Sequence, residues 1–272
     1  MVDSTNEPGS NFTESYVDAD GFRIRYLAAG PPVGEPLLVL HGAGGLRSSR
    51  AQELLAASRR VFVLELPGFG QSEPNDRTAS AREMARTVDA AAAQLGLEAY
   101  DVLGTSMGGV VALWLAIESA ARVRTLVLEA PGAFRPDVAP PQGESPEALA
   151  RRFNVHPERL GPVTPPDPAT MQRTWPLVMK LMGPAHDEEL ARLLAGVAVP
   201  ALVLYGTRDG VFPPVQGATY QRLMPNAFFS YVYDAAHDIQ GDRPEAFASI
   251  VSDFLTRQAT FLVREDSALI NS

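Results

Sequence analysis

Ser106 stands in Gly104-Thr105-Ser106-Met107-Gly108-Gly109, which fits G-x-S-x-G. In that pattern a serine is held on a sharp strand-to-helix turn with its hydroxyl projecting above a sheet. The glycines two residues to either side suit such a turn, because a larger side chain would strike the crossing strand or helix. A serine hydroxyl is a weak nucleophile and needs a base within hydrogen-bond reach. The chain offers four histidines. His41 closes an apolar run in His41-Gly42-Ala43-Gly44-Gly45, where it suits bracing a loop. His156 and His186 fall on polar helical patterns, for which surface placement is the ordinary explanation. His237 follows the last strand pattern directly, in Asp234-Ala235-Ala236-His237. Loops after strand C-termini of an open parallel sheet converge at one edge, where ligands bind, so His237 is read as the base.

A third group must fix the imidazole tautomer and stabilise its protonated form. Asp209, in Tyr205-Gly206-Thr207-Arg208-Asp209-Gly210, lies just beyond the penultimate strand pattern. Glu129, at the end of the preceding strand, is the second choice, and Asp234 is too near His237 to reach round it. Acyl transfer also needs donors for a tetrahedral oxyanion. The backbone N–H of Met107 opens a helix, unpaired and aided by the helix dipole. A second donor is expected from the glycine-rich loop after residue 40, at Ala43.

Other chemistries lack their residues. No phosphate-binding G-x-x-x-x-G-K-[ST] or dinucleotide-binding G-x-G-x-x-G occurs. Absent cysteine excludes disulfides, thiolate metal sites and thiol nucleophiles. His186-Asp187-Glu188-Glu189 has no second histidine at ligand spacing and reads as a helix start with favourable charges. Neither a metal nor a cofactor is expected. A net charge of −9 disfavours phosphate backbones and anionic lipid, so a small-molecule substrate is expected, with no nucleic-acid or membrane partner. Residues 1–15 lack the basic and apolar regions of a secretory signal, which gives a cytoplasmic expectation and makes Asn11-Phe12-Thr13 a chance glycosylation sequon. Oligomeric state stays open.

Positioning these groups takes an α/β framework. Segments 14–17 and 22–28 flank Asp20-Gly21, a hairpin signal. Further strands are read at 36–40, 61–66, 100–103, 123–129, 201–205 and 228–233. Helices are read at 48–58, 78–97, 107–120, 215–224 and 243–256. This alternation predicts a mostly parallel central sheet flanked by helices. Between Pro131 and Pro168 lie ten prolines in 38 residues, and no strand pattern returns before Val199. Short helical patterns at 146–153, 171–182 and 187–195, with the apolar Trp175-Pro176-Leu177-Val178-Met179, predict a small helical cap inserted after the sixth strand of the main sheet. The expected division is a first core part at 1–130, a cap at 131–198, and a second core part with a C-terminal tail at 199–272.

With these elements in hand the chain resembles the α/β-hydrolases from about residue 15 to 256. The matching motifs are His41-Gly42-Ala43-Gly44-Gly45, Leu66-Pro67-Gly68-Phe69-Gly70-Gln71-Ser72, the Ser106 motif, Asp209 and His237. Glu65 stands where the family's D-x-x-G-x-G-x-S run often has aspartate. The resemblance implies a Ser106–His237–Asp209 triad, no cofactor and a cap. Serine at the nucleophile position disfavours the epoxide-hydrolase and haloalkane-dehalogenase branches. The favoured expectation is a carboxylic-ester hydrolase for a small or medium lipophilic group, with Trp175 and Met179 on the apolar wall; core packing of the cap is the competing reading of Trp175. A carbon–carbon bond hydrolase of vinylogous diketones is the alternative, with Arg173 as a cap arginine, weakened because Asp238 follows His237 where those enzymes tend to carry tryptophan. Perhydrolysis is a variation on the same site. A non-catalytic ligand-binding member of the fold is a third possibility.

Overall fold

The Asp-Gly pair turns the first hairpin with both residues at positive φ, 49° at Asp20 and 73° at Gly21, the backbone of a type I′ turn. It joins β1 (Thr13–Ala19) to β2 (Phe22–Ala29) in an antiparallel ladder. These strands open a computed structural model of the chain that describes residues 11–137, 144–160 and 168–261. The following strands are β3 (Pro36–Leu40), β4 (Arg60–Leu64), β5 (Tyr100–Thr105), β6 (Val123–Glu129), β7 (Ala201–Gly206) and β8 (Ala227–Val232). Their order is β1-β2-β4-β3-β5-β6-β7-β8, antiparallel at β1–β2 and β2–β4 and parallel thereafter.

The central strands are mainly apolar because both faces are covered. Leu38, Leu40, Phe62, Leu64, Val102 and Leu128 enter one apolar cluster. Their alternates Leu37, Val39, Val61, Val63, Leu103 and Val127 enter the other. The helices are α1 (Arg50–Ala56), α2 (Ala81–Gln94), α3 (Met107–Glu118), α4 (Pro146–Phe153), α5 (Pro168–Met182), α6 (Glu188–Leu194), α7 (Gly217–Leu223), α8 (Ile239–Asp242) and α9 (Pro244–Arg257). Helices α2, α3 and α7 pack into the first cluster, α1 and α9 into the second. Two helices start later than their patterns suggest. Ser80 accepts from Glu83 N–H at 3.2 Å and so caps α2, while Ser49 and Gln52 form a reciprocal capping box at α1.

Among the described residues the segment between β6 and β7 holds α4, α5 and α6 and no strand. Leu177, Val178 and Leu181 of α5 are buried in the α2–α3 cluster. The Arg135 guanidinium bonds the carbonyls of Met182 (3.0 Å) and Gly183 (2.7 Å), tying the end of α5 to the loop after β6. Phe261 packs on Phe228 and Phe254 with ring centroids 5.6 Å apart in each case; the remainder of the expected tail lies outside the described residues. No described helix is long and apolar enough to cross a membrane.

Candidate active site

The loops that follow β3, β5, β7 and β8 meet at one edge of the sheet, and each carries one of the residues singled out above. Ser106 has φ 52° and ψ −112°, a conformation that costs a non-glycine residue about 1–3 kcal/mol and persists only where the surroundings impose it. Those surroundings explain the flanking glycines. A Cβ on Gly104 would lie 2.5 Å from the Gly108 carbonyl oxygen, and one on Gly108 would lie 2.4 Å from that of Leu40. The turn is also fastened through its backbone. Ser106 N–H donates to the Glu129 carbonyl at 2.9 Å, and the Ser106 carbonyl accepts from Gly132 N–H at 3.0 Å.

His237 is buried, and its Nδ1 is 2.9 Å from Asp209 Oδ2. The other carboxylate oxygen accepts from the backbone N–H groups of Val211 (2.8 Å) and Phe212 (2.9 Å). A carboxylate oxygen accepts, so Nδ1–H donates to Asp209, and Nε2 is left free of that contact. The rings of Phe212 and Phe153 stand edge-on to the imidazole at 5.2 and 5.6 Å. The structure therefore joins Asp209 to His237. Among the described residues no hydrogen bond joins Ser106 to His237.

The loop after β3 lies against the serine: a Cβ on Gly42 would be 3.4 Å from Ser106 Cβ. Neither Ala43 N–H nor Met107 N–H has an acceptor among the described residues. His41 braces this loop, with Nδ1 2.7 Å from the Gly42 carbonyl and Nε2 accepting from Leu66 N–H at 3.1 Å. Burial lowers its pKa to about 4, against the raising effect of the Gly42 bond, so the ring is neutral near pH 7. Glu65, in place of the usual aspartate, uses Oε2 to accept from Gln71 N–H (2.7 Å) and Ser72 N–H (2.8 Å), and Oε1 to pair with Arg25 at 3.1 Å. Its longer side chain fills the space beside Gly70, where a Cβ would lie 2.0 Å from Oε1.

Other expectations are corrected. His156 is not a free surface side chain: Nε2 bonds Asp234 at 2.7 Å and Nδ1 bonds Glu158 at 3.1 Å. Glu129 turns away from His237, accepting from Gln240 N–H at 2.9 Å, Gln240 Nε2 at 2.6 Å and Thr105 Oγ1 at 2.6 Å. Burial, and secondarily the charge of Asp238, raise its pKa to about 7. Trp175 is 54% exposed and Met179 50%, so Trp175 is not a core residue of the helical segment. With Met182 these two recur at i, i+4 and i+7, one stripe of α5. Met182 ends that stripe against Gly132, where a Cβ would lie 2.6 Å from its Cε, and Gly132 N–H bonds the Ser106 carbonyl. Arg173 lies about 160° round the helix from Trp175 at ~100° per residue and bonds Thr170 of its own helix.

The roles of three further residues escaped the sequence reading. Gln240 holds Glu129. Asp242 is fully buried and accepts from the N–H groups of Val155 (2.9 Å), His156 (2.8 Å) and Ala236 (2.7 Å), fixing the chain after α4 to the loop that bears His237. Asp238 N–H donates to the Phe153 carbonyl at 2.9 Å, and its carboxylate bonds Arg47 and Asn154. Most of these partners are remote in sequence, as Val155 is from Asp242 and Phe153 from Asp238.

A model of the alpha/beta hydrolase family matches residues 37–250. The chain is 27% identical to a dihydrolipoyllysine-residue acetyltransferase component of the acetoin cleaving system from Cupriavidus necator, covering 93% of this chain and 72% of that protein. It is 27% identical to a pimeloyl-[acyl-carrier protein] methyl ester esterase from Neisseria meningitidis serogroup B (86% and 97% covered). A 2-hydroxy-6-oxononadienedioate/2-hydroxy-6-oxononatrienedioate hydrolase from Cupriavidus pinatubonensis is 26% identical (93% and 98% covered).

Proposed function

The chain belongs to the alpha/beta hydrolase family, and from that premise we propose that it cleaves a carboxylic ester of a small or medium lipophilic substrate through an acyl-enzyme on Ser106. The observation that carries the reading is the 2.9 Å bond between His237 and Asp209 at the sheet edge where Ser106 is held in its strained turn. In this reading His237 Nε2 takes the Ser106 proton as Oγ attacks the ester carbonyl. Asp209 holds the proton on Nδ1 and stabilises the imidazolium that forms. The free N–H groups of Ala43 and Met107 receive the oxyanion. His237 then returns the proton to the leaving alcohol, and water repeats the cycle on the acyl-enzyme.

Residues 131–198 act as the cap, and the stripe of Trp175 and Met179 supplies the apolar wall. That wall supports a lipophilic acyl or alcohol group. The esterase relative from Neisseria is consistent with ester chemistry. Cleavage of a vinylogous diketone is the second reading, favoured by the relative from Cupriavidus pinatubonensis. It lacks the support expected from Arg173, which lies on the far side of α5 from Trp175 and Met179.

A panel of chromogenic esters of increasing acyl length, run beside a vinylogous diketone, separates the two. Turnover of esters by the native protein, lost in Ser106→Ala, is the expected result. Turnover of the diketone alone rejects the ester reading, and unchanged ester kcat in Ser106→Ala rejects the mechanism. Trp175→Ala is expected to lower kcat/KM by about tenfold for the longer acyl chains while sparing acetate, since each methylene in an apolar pocket is worth ~1–3 kcal/mol.

A further inference from the structure

Among the described residues, the Glu129 side chain is the centre of a hydrogen-bond set, shared with Thr105, that links the Ser106 turn to the turn bearing His237. Its own carbonyl accepts Ser106 N–H at 2.9 Å. Its carboxylate accepts Gln240 N–H at 2.9 Å, three residues beyond His237, and Gln240 Nε2 at 2.6 Å. Thr105, the residue before the serine, donates to the same carboxylate at 2.6 Å and accepts from Gln240 Nε2 at 3.2 Å.

The orientation of Gln240 is dictated by what lies behind it. Its Oε1 accepts from Ser49 Oγ at 3.1 Å and from Gln52 Nε2 at 3.0 Å. Gln52 cannot turn its amide round, because its own Oε1 accepts Ser49 N–H in the α1 capping box. Gln240 must therefore present its NH₂ to residue 129, and residue 129 must accept. Three donors converge on one carboxylate that has no water-exposed surface. A fully satisfied buried network of this kind is rigid, and a half-satisfied one is costly.

We propose that Glu129 is a positioning residue: working through Gln240 and Thr105, it sets the separation and alignment of the Ser106 hydroxyl and the His237 imidazole. The inference rests on the catalytic reading of Ser106 and His237 given above. Among the described residues Glu129 hydrogen-bonds neither side chain, and it takes no proton in the reaction. It acts by holding two turns, from β5 and β8, to one geometry. Displacing reacting groups by about 1 Å costs on the order of 10²-fold in rate, so a small relaxation of this clamp is felt in kcat.

The network also dictates its own test. Glu129→Gln sets an NH₂ against the NH₂ of Gln240. Gln240→Glu sets two carboxylates against each other. The double exchange Glu129→Gln/Gln240→Glu satisfies the set again. The amide oxygen then at position 129 accepts the backbone N–H of residue 240, and the amide NH₂ donates to Thr105 and to the carboxylate then at position 240. That carboxylate still accepts from Ser49 and Gln52. Each single variant is expected to lose kcat by about 10- to 100-fold with KM for a short-chain ester unchanged, and to be phosphonylated at Ser106 correspondingly more slowly. The double exchange is expected to recover most of both rates. Urea unfolding of all three is measured alongside, so that loss of fold is distinguished from loss of alignment. Native kcat in a folded single variant, or a double exchange no faster than the singles, overturns the proposal. If Ser106→Ala retains ester turnover, the catalytic reading beneath it fails instead.

Discussion

Acidification should loosen the His41 brace by an amount that can be worked from its surroundings. His41 is 6% exposed and engaged at both ring nitrogens, and burial lowers its pKa from 6.5 to about 4. The unfolded chain takes up the proton near pH 6.5, the folded chain only near pH 4. A histidine depressed in this way stabilises the fold above the unfolded value, and its contribution is lost as pH falls through the folded one. A difference of about 2.5 units at ~1.36 kcal/mol each corresponds to about 3 kcal/mol at full protonation, and about 2 kcal/mol of it is lost between roughly pH 7 and pH 4.5. Glu129 and Asp101 act in the opposite sense. Burial raises them to about 7 and about 6, so the folded state binds their protons first and gains stability as pH falls. The net pH profile mixes these signs, and His41 must be isolated by difference. Urea unfolding of the native protein and His41→Asn across that range should show the native advantage shrinking by about 2 kcal/mol. Parallel curves would refute a neutral, buried brace at this position.

Three other perturbations follow from the geometry. Gly70→Ala places a Cβ at φ 52° within 2.0 Å of Glu65 Oε1. It is expected to destabilise the fold by about 1–3 kcal/mol in urea unfolding, and an unchanged midpoint would show that Glu65 yields freely. Asp209→Asn should preserve the fold but remove the partner that fixes the His237 tautomer, lowering ester kcat by ~10⁴-fold with little change in KM; a drop of less than about tenfold would count against its role. Asp242→Ala leaves the N–H groups of Val155, His156 and Ala236 without their acceptor. Amide hydrogen exchange should speed at all three, and unaltered protection would contradict the anchoring of the post-α4 chain on the His237 loop.

Much of the framework was legible because its causes are local. Asp20-Gly21 must turn, and the alternating neighbours Leu37 and Leu38 face opposite covered sides of the sheet. The glycines around Ser106 were informative for a harder reason: backbone approaches of 2.4 and 2.5 Å to a Cβ position tolerate no side chain. Chain order and strand ends sufficed to bring Asp209 to His237. The helix starts were misread by a residue or more where Ser49 and Ser80 stand outside the helices they cap. What escaped entirely was the polar pairing across loops. Glu129 and Gln240 are 111 residues apart, and His156 and Asp234 are 78 apart; nothing periodic connects them. Trp175 left wall and core packing as open readings, and among the α5 side chains that are described Leu177, Val178 and Leu181 take the buried face.

The central claim is that the hydroxyl of Ser106 is an activated nucleophile served by His237 and Asp209. Its most direct test is mass mapping of the protein after brief exposure to a fluorophosphonate. The account predicts a single adduct on the peptide carrying Ser106, abolished in Ser106→Ala and formed far more slowly in His237→Ala. An unlabelled Ser106, or equal labelling with and without His237, would contradict it.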